Sequence, residues 1–515
     1  MKNQIKEIIK KAIEGDAPDF SVEVPDDKAH GDYSTNVALI LAKKLNKNPI
    51  GVAKSIKEKI KSDLFSKIEV AVPGFINFFV SEKYLQEKLG GILKEKNKFG
   101  NLKIGGGKKV NVEFVSANPT GPLTLGNGRG GFGGDVLANV LEKAGYKVSR
   151  EYYINDIGAQ IKKLGHSVLG DSETVYKGEY IDKLRKEVKG EDPEKVGEKA
   201  GKIILEKMIK PSVKKMGIKF DKWFSEKTLY ENKEVDRVID ELTKKGFTYE
   251  SEGALWFKSK DLGDDKDRVL IRADGIKTYF SSDIAYLKNK FERGFDRLIM
   301  FLGADHYGYI ARLKAASHAL GFEKNDFDAI VLQMVRLFED GKEVRMAKRT
   351  GTYVTMDELI DEVGLDVARF FFLQRSLNTH FNFDMNLAKE KSEKNPVFKV
   401  QYAYARINSI FKKAEIRNPR SENLKLLREP SELDLMRQII KFPEIIQDTA
   451  KDYQLQRLPN YALELAESFH RFYENCRVIA EDKGLTGARL SLLLAAKIVL
   501  KNTLELMGIS TPEKM

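Results

Sequence analysis

The stretch GPLTLGNGRGGFGGD, Gly121–Asp135, decides how the rest of the chain is interpreted. A β-rich apolar run at Val110–Ser116 precedes it. Apolar residues at helical spacing over Gly128–Ala144 follow, ending at Gly145, and the strand-like run Tyr146–Ile154 comes next. A strand, a loop, a helix and a strand in this order predict the opening unit of a parallel nucleotide-binding sheet.

The glycines of this stretch fit the G-x-G-x-x-G pattern of dinucleotide-binding turns twice, at Gly126/Gly128/Gly131 and at Gly128/Gly130/Gly133. That pattern also requires an acid about 20 residues on, and Glu151 meets the requirement. The glycines should, however, follow the first strand directly, and here proline and threonine separate Ser116 from Gly126. Most of the glycines fall inside the predicted helix, where they permit close packing or close approach of a ligand.

The start of this helix suits the phosphates of ATP better than a dinucleotide. Exposed backbone N–H groups at a helix N-terminus attract phosphate. The side chains of Thr124, Asn127 and Arg129 add further donors. The chain contains no G-x-x-x-x-G-K-[ST] pattern, so it is not a P-loop enzyme.

The composition is typical of a soluble globular protein with a cationic surface. The 515 residues carry a formal net charge of +12, 42% of them are hydrophobic, and Cys476 is the single cysteine. One cysteine excludes an internal disulfide framework and a cysteine-based zinc site, and it fits a reducing cytoplasm. No apolar stretch approaches the ~20 residues of a membrane span, and the charged, amphipathic N-terminus is not a signal peptide. The charge fits either a lysine-rich solvated surface or a polyanion partner.

Three domains are predicted along the chain. Residues 1–105 combine helical patterns with an extended run at Lys67–Val80, and they predict a small α/β domain. Residues 106–394 predict a Rossmann-type parallel-sheet domain with a charged helical insertion at Ile181–Lys215. Residues 395–515 have helical periodicity almost throughout and predict an all-α domain.

A second motif, GKEVRMAKRTGTYVTMDELIDEVG at Gly341–Gly364, gathers cations on a short glycine-flanked loop. These cations are Lys342, Arg345, Lys348 and Arg349. Thr355 and Glu358 then predict a capping box at the start of a helix. Taken alone, the loop fits an exposed basic hairpin. Together with the first motif it predicts a mobile clamp, in which Lys348 neutralises charge as pyrophosphate departs from ATP.

In this order and far apart, the two motifs resemble the two signatures of class I aminoacyl-tRNA synthetases. The surrounding sequence resembles the arginyl-tRNA synthetase family of the bacterial type, in segments that include VEFVSANPTGPLTLGNGRG, SREYYINDIGAQI, GADHYGYIARLKAA, DVARFFFLQRSLNTHFNFD, NPVFKVQYAYARI, HGDYSTNVAL and GFINF. The resemblance covers essentially the whole chain. It implies ATP-dependent ligation of L-arginine to its cognate tRNA through an arginyl-adenylate, with bound tRNA required for the first step. It also implies an N-terminal domain that binds the tRNA elbow and a C-terminal domain that binds the anticodon.

The first signature departs from the family pattern, which usually reads His-x-Gly-His. Here Thr124 and Asn127 stand on either side of Gly126 in place of the histidines. Threonine and asparagine donate hydrogen bonds but carry no positive charge, and losing a charge-assisted donor costs on the order of 1 kcal/mol or more. In the second signature Ala347 replaces the usual serine, whereas Lys348 is kept. The resemblance therefore assigns catalysis to Thr124, Gly126, Asn127 and Lys348.

An arginine pocket needs carboxylates that face a fixed guanidinium fork. By resemblance, Asp283 pairs with the guanidinium and Tyr279 closes over the side chain. Glu113 gives a second carboxylate, and Asn118 holds the α-amino group. Glu113 is also unusual in itself, because an acid inside an apolar strand needs a partner, which a cationic substrate supplies. Asp283 taken alone also fits a helix N-cap.

Further roles follow from the resemblance alone. ATP is expected to contact Gly126, Asn127, Asp305, His306, Met334, Val335 and Lys348. The tRNA is expected to contact Asn77 with its elbow and Tyr402, Tyr473, Arg477 and Met515 with its anticodon. Unpaired bases favour aromatic and cationic partners, although each of these tyrosines also fits a helix core. Mg²⁺ is expected to enter with ATP without a dedicated protein site, and the protein is expected to be a cytoplasmic monomer.

Two other functions compete with this one. A tRNA-binding paralogue without ligase activity would explain Thr124 and Asn127, but it would be free to lose Lys348 and Asp283, which are present. A nucleotide-linked oxidoreductase would explain the glycine pattern and Glu151. It would explain neither the basic loop nor the helical C-terminal part.

Overall fold

The computed structural model describes residues 1–13, 15–304, 308–323, 326–344, 354–414 and 423–515. In the N-terminal part the strands are β1 Val22–Glu23, β2 Tyr33–Thr35, β3 Phe65–Ala71 and β4 Phe75–Val80, and the helices are α1 Lys2–Ala12, α2 Val37–Leu45, α3 Pro49–Lys59 and α4 Glu82–Glu95. The strands form an antiparallel sheet in the order β1-β2-β4-β3. The extended run predicted at Lys67–Val80 is the β3–β4 hairpin.

The strands of the central part are β5 Lys109–Glu113, β6 Lys147–Ile154, β7 Lys222–Ser225, β8 Thr248–Ser251, β9 Ala254–Phe257, β10 Arg268–Ile271, β11 Arg297–Gly303, β12 Phe327–Leu332, β13 Val335–Glu339, β14 Lys342–Val344 and β15 Phe381–Asp384. The main sheet is parallel and has the order β12-β11-β5-β6-β7. The apolar side chains of β5 are fully buried, because helices cover both faces of such a sheet. Strands β8–β10 and β13–β15 form two smaller sheets.

The helices of the central part are α5 Leu125–Lys143, α6 Ala159–Leu169, α7 Glu179–Glu187, α8 Pro193–Ile204, α9 Lys210–Lys215, α10 Lys227–Glu231, α11 Glu234–Lys244, α12 Tyr279–Glu292, α13 Tyr309–Ala319, α14 Met356–Val363, α15 Leu365–Leu373 and α16 Met385–Lys389. Helices α6 to α9 lie between β6 and β7 and contain the predicted helical insertion. A π-helical turn at Leu205–Ile209 joins α8 to α9.

The C-terminal part is helical, with α17 Pro396–Ala414, α18 Pro430–Ile440, α19 Phe442–Asp452, α20 Arg457–Asn475 and α21 Lys483–Leu506. Their apolar faces pack into a continuous core. A small α/β part, a Rossmann-type parallel sheet and a helical C-terminal part confirm the predicted fold class.

The glycine-rich stretch forms the first half of α5, which begins at Leu125, earlier than expected. Its glycines let other segments lie directly on the helix. A Cβ atom at Gly130 would lie 2.9 Å from Leu332 Cδ1, and one at Gly133 would lie 3.0 Å from Leu377 Cδ1. The glycines therefore permit close packing around the helix start, which is one of the two roles that the sequence left open.

Candidate active site

A cavity of about 870 Å³ opens at the carboxyl ends of β5, β6 and β11. Ligands of open α/β sheets bind in this crevice. Six of the predicted site residues line it, namely Glu113, Asn118, Thr124, Asn127, Tyr279 and Asp283. The structure therefore brings together the arginine candidates and the first signature, which the sequence could connect only by resemblance.

The first signature is held by a hydrogen-bonded pair at the start of α5. The backbone N–H and the hydroxyl of Thr124 both donate to Asn127 Oδ1, at 2.9 and 3.1 Å. The acceptor of Asn127 is thus used to fix the helix start, and its amide nitrogen remains as the donor for a ligand in the cavity. Gly126 between them is exposed.

The start of α14, which follows the basic loop, is tied to the first signature. Thr124 and Thr355 form an antiparallel bridge, and the Met356 N–H donates to Leu123 O at 2.9 Å. The predicted capping box is confirmed, since Thr355 and Glu358 exchange hydrogen bonds of 2.9 and 3.2 Å. Lys348, Arg345 and Ala347 themselves lie outside the described residues.

Asp283 lies on α12 inside the cavity. The hydroxyl of Tyr309 donates to its carboxylate. Burial raises the pKa of Asp283 to about 7, and the nearby Glu226 and Glu113 act in the same direction. The interpretation as an N-cap is wrong, because Thr278 is the N-cap of α12.

Glu226 is a second cavity carboxylate, and sequence reasoning missed it. It is 2% exposed, it follows β7 directly, and Ser282 donates to it at 2.9 Å. Burial raises the pKa of Glu226, with a further contribution from Asp156. Its position immediately after an apolar strand was the available signal, because strand ends meet at the ligand crevice.

Glu113 has an internal partner, which changes the argument made for it from the sequence. Its carboxylate forms an ion pair with Lys290, a fully buried lysine that also lies 4.2 Å from the ring of Tyr286. Ser116 donates to its other oxygen at 3.1 Å. Lys290 therefore accounts for the buried acid without a cationic substrate, although Glu113 still lines the cavity.

Glu151 is sealed inside the protein. It is 0% exposed, it accepts two hydrogen bonds of 2.6 and 2.8 Å from Arg293, and Tyr286 and Asn111 donate to it as well. These partners hold the pKa of Glu151 below its usual range despite its burial. Glu151 is therefore not accessible to a ribose. It no longer supports the oxidoreductase hypothesis, which keeps only the glycine pattern.

Two further arginine candidates lie at the mouth of the cavity. Asn118 is exposed. Tyr279 is the first residue of α12 and 49% exposed, and its hydroxyl accepts a hydrogen bond of 3.3 Å from the Ala159 N–H. A ring in this position can cover a ligand that enters beneath it.

Met334 and Val335 lie just beyond the end of β12. The Gln333 N–H donates to Leu377 O at 3.0 Å, and Met334 O accepts from the Phe381 N–H at 3.1 Å. The Gln333 N–H and the Met334 carbonyl thus already form hydrogen bonds within the protein, while the Met334 side chain is 62% exposed. The other ATP candidates, Asp305 and His306, lie outside the described residues.

The anticodon candidates on α17 and α20 lie among aromatic and cationic side chains. The rings of Tyr402 and His470 stack with centroids 6.1 Å apart. Arg406 donates to the Tyr473 hydroxyl at 3.0 Å and lies 5.0 Å from its ring. This combination suits unpaired bases.

The remaining tRNA candidates differ in accessibility. Arg477 and Met515 are exposed. Asn77 is only 3% exposed, and its Oδ1 accepts a hydrogen bond of 2.7 Å from Ser34. Because Asn77 is buried, contact with a base would require the neighbouring side chains to move, which the sequence did not indicate.

Among the described residues, no group of three or more His, Cys, Asp and Glu side chains is placed to hold a metal ion. In the same part of the chain, no helix is long and apolar enough to cross a membrane.

Family models match nearly the whole chain. The arginyl tRNA synthetase N-terminal domain matches residues 1–80, and the catalytic domain of class I (R) tRNA synthetases matches 88–168 and 171–371. The DALR anticodon binding domain matches residues 400–515.

Curated relatives and solved structures agree with these matches. The chain is 45% identical to an arginine–tRNA ligase of Carboxydothermus hydrogenoformans, over 96% of this chain and 94% of that protein. It is 44% identical to one of Caldanaerobacter subterraneus, over 100% and 99%. Its fold is similar to the arginyl-tRNA synthetases of Thermus thermophilus (TM-score 0.81, 21% identity, 100% of both chains) and Plasmodium falciparum (TM-score 0.82, 20% identity, 100% and 99%).

Proposed function

Because the chain belongs to the arginyl-tRNA synthetase family, we propose that its cavity holds the arginine side chain at Asp283 and Glu226 and ATP at the start of α5. The protein is an ATP-dependent ligase that joins arginine to its cognate tRNA. The observation that supports this division is that two carboxylates, the half-buried Asp283 and the buried Glu226, line the same cavity as Thr124 and Asn127 at the start of α5. A paralogue without ligase activity has no support from the relatives or from the structure.

The arginine end of the cavity matches a guanidinium. The two carboxylates present acceptors to a planar five-donor group, which favours arginine over lysine. Tyr309 orients Asp283, and Ser282 orients Glu226. Tyr279 covers the side chain, and Asn118 at the mouth holds the α-amino group.

The ATP end supports an in-line displacement. The arginine carboxylate attacks the α-phosphorus, and pyrophosphate leaves with arginyl-adenylate formed. The 2′-hydroxyl of the terminal tRNA adenosine then attacks the activated carbonyl, and AMP leaves. The helix N-terminus and the Asn127 amide stabilise the phosphates, and Lys348 neutralises the departing pyrophosphate. Mg²⁺ enters with the ATP phosphates.

The remaining parts of the chain bind tRNA. We assign the anticodon to Tyr402, Tyr473, Arg477 and Met515 and the elbow to the sheet that carries Asn77. The net charge of +12 favours this polyanion. A monomeric state and a cytoplasmic location belong to the same proposal.

The function is tested by charging total tRNA with each radiolabelled amino acid in the presence of ATP and Mg²⁺. Arginine alone is expected to be charged. Charging of lysine at a similar rate would show that the two carboxylates do not select a guanidinium fork. No charging, despite tight tRNA binding, would support the paralogue.

The affinity for arginine is expected to fall below pH 7. Binding of a guanidinium requires ionised Asp283, whose pKa is about 7 in the free protein. Protons therefore compete with arginine, and KM for arginine should rise up to about tenfold per pH unit below pH 7, with kcat unchanged at saturation. Initial charging rates between pH 5.5 and 8.5 measure this dependence. A KM that is constant over this range would mean that Asp283 does not titrate as the structure indicates.

Replacing Asn127 with aspartate separates its two roles. Aspartate keeps the acceptor for Thr124, but it substitutes a negative charge for the amide donors. We expect kcat/KM for ATP to fall about 10²-fold or more, because one preorganised donor is worth about that much and the new charge repels phosphate. Asn127→Ala is the control that removes both the amide donor and the acceptor for Thr124 without adding charge, and its loss should be smaller than that of Asn127→Asp. A wild-type kcat/KM for ATP in Asn127→Asp, with a loss in Asn127→Ala, would assign Asn127 to the helix cap alone.

A further inference from the structure

Arg129 is a fully buried arginine on α5, two residues after the first signature, so the expectation that its side chain donates to ATP phosphates is wrong. Its Nη2 donates to the backbone carbonyls of Ser376 and Thr379 at 2.6 and 2.7 Å, and its guanidinium lies 5.5 Å from the ring of Phe381. Among the described residues, Nε and Nη1 have no hydrogen-bond partner, and no carboxylate pairs with the group. Burial accordingly lowers the pKa of Arg129 to about 10. Burying a cation without a paired carboxylate costs desolvation free energy. Stability of the core therefore does not explain why an arginine is buried at this position.

The loop that Arg129 holds also holds the segment Gln333–Val335. Leu377 O accepts from the Gln333 N–H at 3.0 Å, and the Phe381 N–H donates to Met334 O at 3.1 Å. Strand β15 then continues this contact as a parallel partner of β13. The close approaches of Gly130 to Leu332 and of Gly133 to Leu377 place helix, strand end and loop in direct contact.

The helical C-terminal part contacts the same loop from the other side. The Ser376 hydroxyl, shared with Asn378, donates to Gln454 Oε1 at 3.0 Å. Gln454 lies in the corner between α19 and α20. The adjacent Tyr453 anchors this corner to the main sheet through a hydrogen bond of 2.9 Å to Asp328.

We propose that Arg129 and Gln454 are positioning residues for ATP, which clamp the Ser376–Thr379 loop from opposite sides. The loop in turn sets the backbone of Gln333–Val335, and we place the adenine of ATP against this segment, where the resemblance assigns Met334 and Val335 to ATP. Neither residue touches a substrate. The inference rests on the proposed placement of ATP, and it gives the anticodon-binding part a share in forming the ATP site.

The test compares Arg129→Met, Gln454→Leu and the double variant in steady-state charging, with KM measured separately for ATP, arginine and tRNA. KM for ATP should rise about three- to tenfold in each single variant, below the about 10²-fold effect of a full 1 Å misplacement. KM for arginine and KM for tRNA should stay within about twofold of the wild-type values, because the loop does not position these two substrates. The double variant should lose less than the product of the single effects, since both act through one loop.

Inhibition by products distinguishes positioning from loosening of the fold. AMP, which carries the adenine, should inhibit the variants more weakly by the same factor, whereas pyrophosphate should inhibit them unchanged. Arg369→Met is the matched control. Arg369 is also buried and donates to two backbone carbonyls, Met507 O and Met216 O, but it forms an ion pair with Asp135 in addition and does not contact the loop.

Two other results would contradict the proposed clamp. An unchanged KM for ATP with a lowered melting temperature would leave Arg129 a structural residue. An equal rise of KM for ATP in Arg369→Met would point to general loosening. Wild-type protein that charges no arginine in the same assay would instead refute the proposed function.

Discussion

Replacing Asp283 with asparagine is expected to lower kcat/KM for arginine about 30- to 3,000-fold, because losing one partner of a buried charge pair costs about 2–5 kcal/mol. The loss should appear mainly in KM for arginine, since we propose that ATP binds at the other end of the cavity. Asparagine keeps an oxygen that can accept from Tyr309, so the local packing is preserved. Initial charging rates at varied arginine concentration measure the effect.

The same variant should be more stable than the wild type. The pKa of Asp283 is raised from 3.8 to about 7 by folding, so ionisation of this carboxyl opposes the folded state. The destabilisation caused by ionisation of Asp283 grows between pH 3.8 and about pH 7 and is complete above about pH 7. The Asp283→Asn substitution removes this destabilisation. A higher melting temperature at pH 8, with a smaller difference near pH 4, would accompany the lost activity. A less stable and equally inactive variant would indicate a misfolded cavity instead.

Asp156→Asn is the matched control for charge. Asp156 lies close behind the cavity, where it accepts hydrogen bonds from Ser225 at 2.5 Å and from the Lys227 N–H at 3.1 Å, but it does not line the wall. Its replacement should change KM for arginine less than about threefold, because a charge that does not contact the ligand is largely screened. An effect as large as that of Asp283→Asn would mean that the combined electrostatic potential of the acidic residues binds arginine, and not a direct ion pair with Asp283.

The sequence predicted those features that depend on local pattern. The strand, loop and helix around Gly121–Asp135 follow from hydrophobic spacing and turn residues, and the cap at Thr355 follows from the spacing to Glu358. Asp283 could be placed only by resemblance, since its neighbours along the chain fit an ordinary helix start equally well.

Contacts between distant parts of the chain could not be predicted in this way. Lys290, which neutralises Glu113, lies 177 residues away, and two of the partners of Glu151, Tyr286 and Arg293, come from α12 and its end. Glu226 and Asp283 become neighbours only because β7 and α12 meet at one edge of the fold. Such pairings depend on topology, and a local pattern contains no information about which buried acid will find a cation.

Replacing Lys348 with alanine is expected to lower kcat about 10²- to 10³-fold, the range found when one preorganised donor to a developing charge is removed. The described residues that flank the basic loop support this proposal. Val344 ends β14 before the loop, and Thr355 after it is bridged to Thr124, at the helix start where we propose that the ATP phosphates bind. The charge on the departing pyrophosphate would develop there.

The kinetic pattern distinguishes a role in the transition state from a role in ATP binding. A fall in kcat with KM for ATP changed by less than about threefold means that Lys348 acts as pyrophosphate leaves, whereas an equal rise in KM would assign it to ground-state binding. Lys342→Ala is the matched control. Lys342 is an exposed cation on β14, six residues before Lys348 in the same motif, and its loss should leave kcat within about twofold because a surface charge is screened by solvent. If Lys348→Ala were as active as Lys342→Ala, the basic loop would be a solvated hairpin, and the helix start with Asn127 would have to stabilise the departing pyrophosphate without it.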